Sequence, residues 1–232
     1  MISVCIATYN GEKYIRQQLE SILSQIGNSD EIIISDDGSS DSTLSIIESL
    51  NDNRVKIFTN EEFHGVNGNF ENTLSRATGD YIFLSDQDDV WLPNKVEICL
   101  NYLKKYDCIV HDGYITDENL AIQSDNILNE SKLNGFINNF LHNNYTGCCM
   151  VFRAKVLNRI LPFPKTRYFF HDHWIGLICE LKMKTAFVPD KLIYFRRHGD
   201  NNSTVTQKSN RSIFTKIFAR LQLLLFLIRK KC

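Results

Sequence analysis

The chain alternates between short apolar runs and stretches in which apolar residues have helical spacing. Ile2–Thr8 is a short apolar run of the kind found in strands, and Glu12–Gln25 follows with apolar side chains three and four positions apart. The alternation continues to residue 105. It predicts further strands at Glu31–Ser35, Val55–Phe58 and Tyr81–Leu84, and helices at Leu44–Leu50, Asn69–Ala77 and Asn94–Lys105. Such alternation implies right-handed crossovers and a mainly parallel sheet covered on both faces.

The second half of the chain is less regular. Its pattern predicts strands at Cys108–Tyr114, Cys148–Phe152 and Ile193–Phe195, and helices at Leu133–His142 and about His173–Met183. We expect a mixed sheet there. Because the sequence contains no repeat and no low-complexity linker, both halves are expected to share one compact body.

Residues 212–232, "SIFTKIFARLQLLLFLIRKKC", have a different character. Apolar residues fall largely on one helical face, but Lys216 and Arg220 leave an unbroken apolar run of only Leu223–Ile228. A helix that spans a bilayer needs roughly 20 apolar residues. The pattern therefore predicts either an interfacial helix with basic flanks or a helix packed on the core or on a second subunit.

Composition narrows the class of protein. Hydrophobic residues make up 43% of the 232-residue chain, enough for a sizeable core. The 26 basic and 27 acidic residues give no overall attraction to nucleic acid. Seven cysteines without a C-x-x-C pair are typical of buried free thiols in a reducing compartment. The N-terminus lacks the pattern of a signal peptide, so we expect a cytoplasmic protein.

Polar sequences follow three of the predicted strands: "TYNGE", "SDDGS" and "SDQDD". In open sheets with parallel strands, ligands bind beyond the carboxyl ends of the strands. The three sequences are therefore expected to meet in one crevice. The chain has no G-x-G-x-x-G fingerprint, so this Rossmann-like half is not that of a typical dinucleotide-binding protein.

Asp86 and Asp88 lie two positions apart at a predicted strand end and can face one point. Carboxylates this close repel unless a cation lies between them. Mg²⁺ or Mn²⁺ suits such hard oxygen ligands, and Mg²⁺ commonly completes its shell with substrate phosphates. The sequence does not fit an EF-hand loop. A solvated turn is the alternative, but the position after a buried strand favours a metal site.

Asp36 and Asp37 also follow a predicted strand. A carboxylate there can accept hydrogen bonds from a ribose hydroxyl or from the N–H edge of a pyrimidine. The alternative is helix capping by Asp and Ser. Both can hold, with the serines capping and an aspartate facing the crevice.

In this order and spacing, "TYNGEKYI", "DDGSSDST" and "SDQDDVW" resemble inverting glycosyltransferases of family 2, which have the GT-A fold. The resemblance implies an α/β protein: a nucleotide-sugar-binding half of mainly parallel sheet at about 1–110, merged with a mixed acceptor-binding half at 111–205. Together they form a single domain over 1–205, followed by a basic amphipathic helix at 206–232. It also implies sugar transfer from a UDP- or dTDP-linked donor, with a divalent metal bridging the diphosphate to the D-x-D sequence.

The resemblance assigns roles to individual residues. The nucleotide pocket would be lined by Thr8, Tyr9 and Glu12, with Asp37 on the base and Asp36 near base or ribose. Asp88 would bind the metal, and Asp86 would face the ribose or the metal; the role of Asp89 is less defined.

An inverting transfer needs a general base on the face of the sugar opposite the leaving group. "FFHDHW" supplies Asp172 near the start of a predicted helix, where the helix dipole favours the anionic form. The family motif usually has two acidic residues there, whereas this chain has His171 before Asp172. Simple helix capping is the alternative role for Asp172. Trp174, just beyond it, is the candidate for stacking on the acceptor sugar, although such residues often seal the core instead.

"YFRRHGDNNS" is a second late cluster. Arg196 can bind phosphate through its planar fork, and His198 can reach the metal from the second half. The Q-x-x-R-W sequence of processive synthases is missing. The segments together resemble bacterial rhamnosyltransferase-type enzymes of surface polysaccharide synthesis, such as lipopolysaccharide.

That resemblance implies a saccharide acceptor on a membrane lipid, with the protein cytoplasmic or peripheral on the inner face of the membrane. A homodimer is an open alternative for the C-terminal helix. Two rival functions are a sugar-1-phosphate nucleotidyltransferase and a non-catalytic nucleotide-sugar-binding module. The first is disfavoured because "TYNGEKYI" lacks a basic Gly-rich loop, and the second because Asp88 and Asp172 are both present.

Overall fold

The computed structural model of the chain describes residues 1–128, 135–199 and 212–230. Within these ranges the strands are β1 Ile2–Thr8, β2 Glu31–Asp36, β3 Val55–Thr59, β4 Tyr81–Ser85, β5 Val90–Trp91, β6 Cys108–Thr116, β7 Ile122–Ser124, β8 Met150–Arg153 and β9 Thr185–Arg196. The helices are α1 Ile15–Leu23, α2 Thr43–Ser49, α3 Val66–Leu74, α4 Lys95–Leu103, α5 Phe136–Leu141, α6 Leu157–Ile160, α7 His171–Lys182 and α8 Ile213–Arg229.

All nine described strands belong to one mixed sheet, with the order β3-β2-β1-β4-β8-β6-β9-β5 and β7 paired on β6. The four strands β3, β2, β1 and β4 are parallel, which confirms the Rossmann-like first half. β8 joins the halves because it pairs antiparallel with β4 on one side and β6 on the other. β6 and β9 are parallel, and β9 and β5 are antiparallel.

The burial of apolar side chains explains the strands and helices of the first half. β1 and β2 are almost entirely buried, as expected for central parallel strands covered on both faces. On α1, Ile15, Leu19 and Ile22 recur at helical spacing and are fully buried against the sheet. The carboxyl ends of β1, β2 and β4 therefore open at one edge, as the sequence predicted.

The second half differs from its prediction in length and boundaries. β9 begins at Thr185, whereas only Ile193–Phe195 was predicted. Its pairing with β6 is interrupted by a bulge, since His111 pairs with Val188 and Asp112 with Lys191. Pro189 and Asp190 lie in that bulge, where proline is tolerated, and they hide the strand pattern. The short strands β5 and β7 were not predicted.

Three predictions extend beyond the described residues. Leu133 and Asn134, at the start of the predicted helix Leu133–His142, lie outside them, as do the predicted boundary at 205/206 and Cys232. The six cysteines within the described ranges are buried and free, as the composition predicted. Across those same ranges, the helices are too short or too polar to cross a bilayer.

Candidate active site

The acidic loop between β4 and β5 is held against the end of β9. Because Val90 pairs with Tyr194, residues 88–89 lie beside residues 196–198. Asp89 is buried, and its Oδ1 accepts the backbone N–H of Arg196 at 3.1 Å. Asp88 Oδ2 lies 2.8 Å from His198 Nε2. Two predicted metal ligands from opposite halves of the chain are thus adjacent.

Gln87 is a residue that sequence reasoning missed. Its amide oxygen accepts from the N–H of Tyr9 at 2.9 Å, and its amide nitrogen donates to the carbonyl of Tyr9 at 3.1 Å. This pair of hydrogen bonds fixes the acidic loop to the loop after β1. The sequence does contain a signal for this contact, because side chains alternate along an extended segment. If Asp86 and Asp88 face one side of the loop, Gln87 faces the other.

Tyr14 lies between two side chains from the end of β9. The guanidinium carbon of Arg196 lies over the Tyr14 ring, 4.6 Å from the ring centroid. The ring centroids of Tyr14 and His198 are 4.7 Å apart. Arg196 also donates to Gln17 Oε1 at 2.6 Å and to the carbonyl of Glu118 at 3.0 Å. We call Tyr14, Gln17, Arg196 and His198 the clasp, since they join α1 to the loop that carries His198.

The side chain of Arg196 is buried, and its guanidinium donates to Gln17 and to the Glu118 carbonyl. It lies close enough to the acidic loop for Asp88 and Asp89 to act on its pKa, which burial lowers. A guanidinium has five N–H donors, so contact between Arg196 and a phosphate stays a prediction.

The carboxylates of the acidic loop are electrostatically strained. Burial, together with the charges of Asp88 and Asp172, raises the pKa of Asp86 to about 7. Burial, with Asp88 and Asp86 nearby, also raises the pKa of Asp89 well above its usual value. The positive charge beneath the loop comes from Lys95, which is fully buried, donates to the Cys148 carbonyl at 3.2 Å and lies over the Trp91 ring at 4.4 Å.

These residues fit a hard divalent cation. Ligand atoms of Asp86, Asp89 and Cys148 lie within 4.8 Å of one another. Apart from the Cys148 thiol, the buried Asp89 Oδ2 has no donor among the described groups. Burial raises the pKa of the Cys148 thiol, and hard divalent cations prefer oxygen ligands to sulfur. The oxygens, together with the His198 imidazole, suit Mg²⁺ or Mn²⁺.

Asp172 is the second residue of α7 and faces the acidic loop closely enough to raise the pKa of Asp86. Its Oδ1 accepts from the His173 N–H at 2.6 Å and from Asn143 Nδ2 at 3.0 Å. Burial raises its pKa to about 6. The N-cap residue of α7 is Phe170. The Asp172 carboxylate therefore lies in the first turn of the helix and not at the capping position.

The two aspartates after β2 are both engaged by the protein. Asp36 is buried, and its carboxylate accepts from Gly38, Ser39 and Thr8. It therefore builds the turn, and its predicted place near the base or ribose stays a prediction. The cap of α2 comes from Asp41, whose Oδ1 accepts the Thr43 N–H at 3.0 Å.

Asp37 lies nearer the surface and accepts from Asn60 at 2.8 Å, His64 at 2.9 Å and the Gly65 N–H at 2.7 Å. A nucleobase at Asp37 would therefore have to exchange with these donors or lie beside them. Asn60 and His64, in the segment before α3, were missed because this segment is not part of the three sequences that were expected to meet in the crevice.

The predicted nucleotide residues near β1 differ in exposure. Tyr9 is exposed and available to a ligand, whereas Thr8 is buried and its hydroxyl donates to Asp36 at 3.0 Å. Glu12 accepts the Ser42 N–H at 2.9 Å and holds the start of α2. The structure thus buries Thr8 and leaves Tyr9 and Glu12 exposed.

Trp174 is not where an acceptor sugar could stack on it. The side chain is only 2% exposed, its Nε1 donates to the Ile160 carbonyl at 2.9 Å, and its ring lies beside Phe169. The structure corrects the acceptor prediction and places Trp174 in the core.

A parallel sheet with an acidic loop after its fourth strand, facing a carboxylate at the start of a later helix, is the arrangement of the GT-A glycosyltransferase fold. The family model of glycosyl transferase family 2 matches residues 3–161. The chain belongs to this family.

Individual comparisons agree. The chain is 30% identical over 179 residues to the UDP-Glc:alpha-D-GlcNAc-diphosphoundecaprenol beta-1,3-glucosyltransferase WfgD of Escherichia coli, a match that covers 77% of this chain and 70% of that protein. The structure of S. aureus TarS 1-349 with UDP-GlcNAc matches with a TM-score of 0.70 at 16% identity, covering 96% of this chain and 71% of that one. Glucosyl-3-phosphoglycerate synthase from Mycobacterium tuberculosis, with Mn²⁺ and UDP-glucose, matches with a TM-score of 0.61 at 17% identity over 99% and 79%. At these identities, the two structural matches establish the fold alone.

Proposed function

We propose that the chain transfers a hexose, with inversion, from a nucleoside-diphosphate donor to a lipid-linked saccharide. The observation that supports this most is the meeting of Asp172 with the acidic loop across the two halves of the sheet. A base and a leaving-group site on opposite sides of one reacting sugar are what an inverting displacement requires.

In the proposed reaction, the acceptor hydroxyl attacks the anomeric carbon while the bond from that carbon to the diphosphate oxygen breaks. Asp172 takes the hydroxyl proton, and Asn143 and the His173 N–H orient the carboxylate. A divalent cation held by Asp88, Asp86 and His198 would stabilise the charge on the departing diphosphate. Lys95 offsets part of the negative charge that the loop carries in the core.

For the donor, we propose a uracil or thymine nucleotide bound between Tyr9 and Asp37. WfgD acts on UDP-Glc by its name, and the TarS complex contains UDP-GlcNAc. UDP-linked hexoses are therefore the first donors to test, with the dTDP-linked rhamnose suggested by the sequence as the second.

For the acceptor, we propose a saccharide on a membrane lipid diphosphate, as in polysaccharide precursors. The name of WfgD specifies such an acceptor, and the chain covers most of that protein's length. The protein would then work at the inner face of the membrane. A homodimer is the alternative state.

Calorimetric titration with UDP, UDP-glucose, UDP-GlcNAc and dTDP-rhamnose, with Mn²⁺ and again with chelator, tests the donor site. Metal-dependent binding of one donor, together with transfer by the wild type and none by Asp172→Asn, supports the proposal. Binding without transfer to any acceptor favours the non-catalytic module. Release of pyrophosphate from UTP or dTTP with a sugar phosphate favours the nucleotidyltransferase.

A further inference from the structure

The C-terminal helix α8 has two apolar stripes, and only one faces the protein. Ala219, Leu223 and Leu227 are buried against the body of the protein. The second stripe lies outward and runs from Phe214, 80% exposed, to Ile228, 65% exposed. Its members are Phe214, Ile217, Phe218, Leu221, Leu224, Leu225 and Ile228. An exposed run of this length is unusual in a water-facing helix and marks a contact surface.

The helix is fixed next to the proposed base. Phe226 packs on Phe169 with ring centroids 6.3 Å apart, and Gln222 accepts from Thr166 at 2.7 Å, which holds α8 to the segment before α7. Arg220 donates to the carbonyl of Leu141 at the end of α5, at 2.7 Å. The outward stripe is therefore anchored to both segments that orient Asp172.

Exposed apolar side chains continue from the helix towards Asp172. Phe170 precedes α7 and Leu141 ends α5, and both are exposed, as is Ile137 one turn earlier. Two residues after Leu141, Asn143 hydrogen-bonds Asp172. We define the outward stripe with Ile137, Leu141 and Phe170 as the apolar surface.

The charge of α8 indicates what binds the apolar surface. Between residues 212 and 230 the sequence contains four basic residues and no acidic residue. Arg220 and Lys230 donate to backbone carbonyls of the body, whereas Lys216 and Arg229, near the two ends of α8, are exposed. An antiparallel second copy of the helix would bring these like charges together, whereas helix pairs are normally joined by opposite ones. An anionic bilayer complements both the apolar stripe and the positive charge.

We propose that the apolar surface docks on the anionic lipid–water interface, with α8 lying in the plane of the membrane. Docking places Asp172 beside the bilayer, where a lipid-linked saccharide can reach it. This purpose rests on the proposed function, but the docking itself rests on the surface alone. The partner is a lipid surface recognised by apolar contact and negative headgroups.

A tryptophan introduced on the apolar surface tests the contact directly. Trp91 and Trp174 are 3% and 2% exposed, so a tryptophan introduced on the surface supplies a distinct signal. Leu221→Trp should be quenched by phosphatidylglycerol–phosphatidylcholine vesicles with brominated acyl chains. Ile122→Trp, on the exposed strand β7, is the matched control and should not be quenched. Equal quenching at both positions, or at neither, would overturn the proposal.

Vesicle sedimentation gives a second test. Leu221→Gln with Leu225→Gln should lower partition onto phosphatidylglycerol vesicles about 10-fold or more, because two apolar side chains leave the interface. Ile122→Gln should have no effect. Binding should weaken with added salt and with pure phosphatidylcholine. Since both leucines are about half exposed, circular dichroism and thermal unfolding should stay unchanged.

The oligomeric state distinguishes membrane docking from the alternative, a second copy of the chain bound to the apolar surface. Light scattering without lipid should give a monomer mass. A dimer that dissociates in the Leu221→Gln, Leu225→Gln variant would identify a second copy as the occupant and overturn membrane docking. Asp172→Asn should bind vesicles like the wild type, so failure of docking and failure of the proposed transfer are distinguishable.

Discussion

At the scale of single residues, Asp172 must be ionised at the working pH and still basic enough to take a proton. Burial raises its pKa to about 6. We therefore expect transfer to fall as pH drops through about 6, because protonation removes the base. Asp172→Asn should lower kcat about 10²- to 10⁴-fold with unchanged donor affinity, measured by initial rates and calorimetry. A variant that keeps wild-type kcat would show that another group is the base.

Asn143 gives a directional test of the same site. Its amide donates to the ionised Asp172 carboxylate and so lowers the pKa of that group. Asn143→Ala should raise this pKa and move the acidic limb of the pH–rate profile to higher pH. Donor binding over the same pH range is the control. An acidic limb that stays in place would separate Asn143 from the proton transfer.

The clasp links a tyrosine to the proposed metal site. Tyr14 stacks beside His198, which contacts Asp88. His198→Asn should weaken Mn²⁺ binding, and Tyr14→Leu should weaken it about 10-fold, as groups that orient a ligand do. Tyr14→Phe keeps the ring and should bind like the wild type. Titration followed by electron paramagnetic resonance measures each affinity.

A double-mutant cycle decides whether Tyr14 acts through His198. In the His198→Asn background, Tyr14→Leu should add little further loss of Mn²⁺ affinity. Fully additive losses would mean that Tyr14 affects the site by another route. If His198→Asn alone leaves the Mn²⁺ affinity unchanged, His198 is not a metal ligand and this cycle does not test Tyr14. The donor affinity of Tyr14→Leu then shows whether Tyr14 contributes to the site.

At the scale of elements, the start of α7 depends on a close approach to the turn before β8. A Cβ at Gly147 would lie 2.6 Å from Nε2 of His171, which is buried and stacks on Phe70 at 4.0 Å between ring centroids. Gly147→Ala should displace this ring and the adjoining Asp172, lower kcat and destabilise the protein by about 1–3 kcal/mol. In a His171→Ala background the same change should cost less, since the clash is gone. Denaturant unfolding measures both costs.

The elements also show what the sequence could predict. Strand–helix alternation identified β1 to β4, three of which (β1, β2 and β4) are mainly apolar and almost entirely buried. β3 lies at the edge of the sheet and is only partly buried, but its short apolar run was still recognised. β9 was predicted only at Ile193–Phe195, since the bulge at Pro189 and Asp190 breaks its pattern. The crevice that carries Asp86 and Asp88 followed from strand ends, whereas Asp172 was predicted from its place near the start of a helix and from the family resemblance.

The orientation of single side chains did not follow from the pattern. Asp36 and Asp37 are adjacent aspartates, yet their side chains have different surroundings. Asp36 is buried and accepts hydrogen bonds from its own turn, whereas Asp37 lies nearer the surface and accepts from Asn60 and His64. Arg196 and Trp174 were assigned to ligands because their types suit phosphate and sugar. The structure gives both side chains partners that are distant in sequence, Gln17 for Arg196 and the Ile160 carbonyl for Trp174.

At the scale of the whole molecule, the proposed site is shared between two halves that one sheet joins. Asp88 comes from the first half and His198 and Asp172 from the second. β8 pairs with β4 through Ile82 opposite Phe152, and with β6 through Cys108 opposite the same residue. No described surface separates the halves along this sheet, so opening one half alone would break strand pairing in the other.

We therefore expect both halves to unfold in one transition, and the buried cysteines can report it. Cys5 on β1 and Cys179 on α7 are fully buried, so each thiol reacts only when its half opens. Pulsed thiol labelling across a denaturant series, read by peptide mass spectrometry, should give the same midpoint for both. The midpoint should match that of the loss of helical circular dichroism. Labelling of Cys179 at lower denaturant than Cys5 would contradict the expectation and show that the half carrying Asp172 opens independently of the acidic loop that it faces.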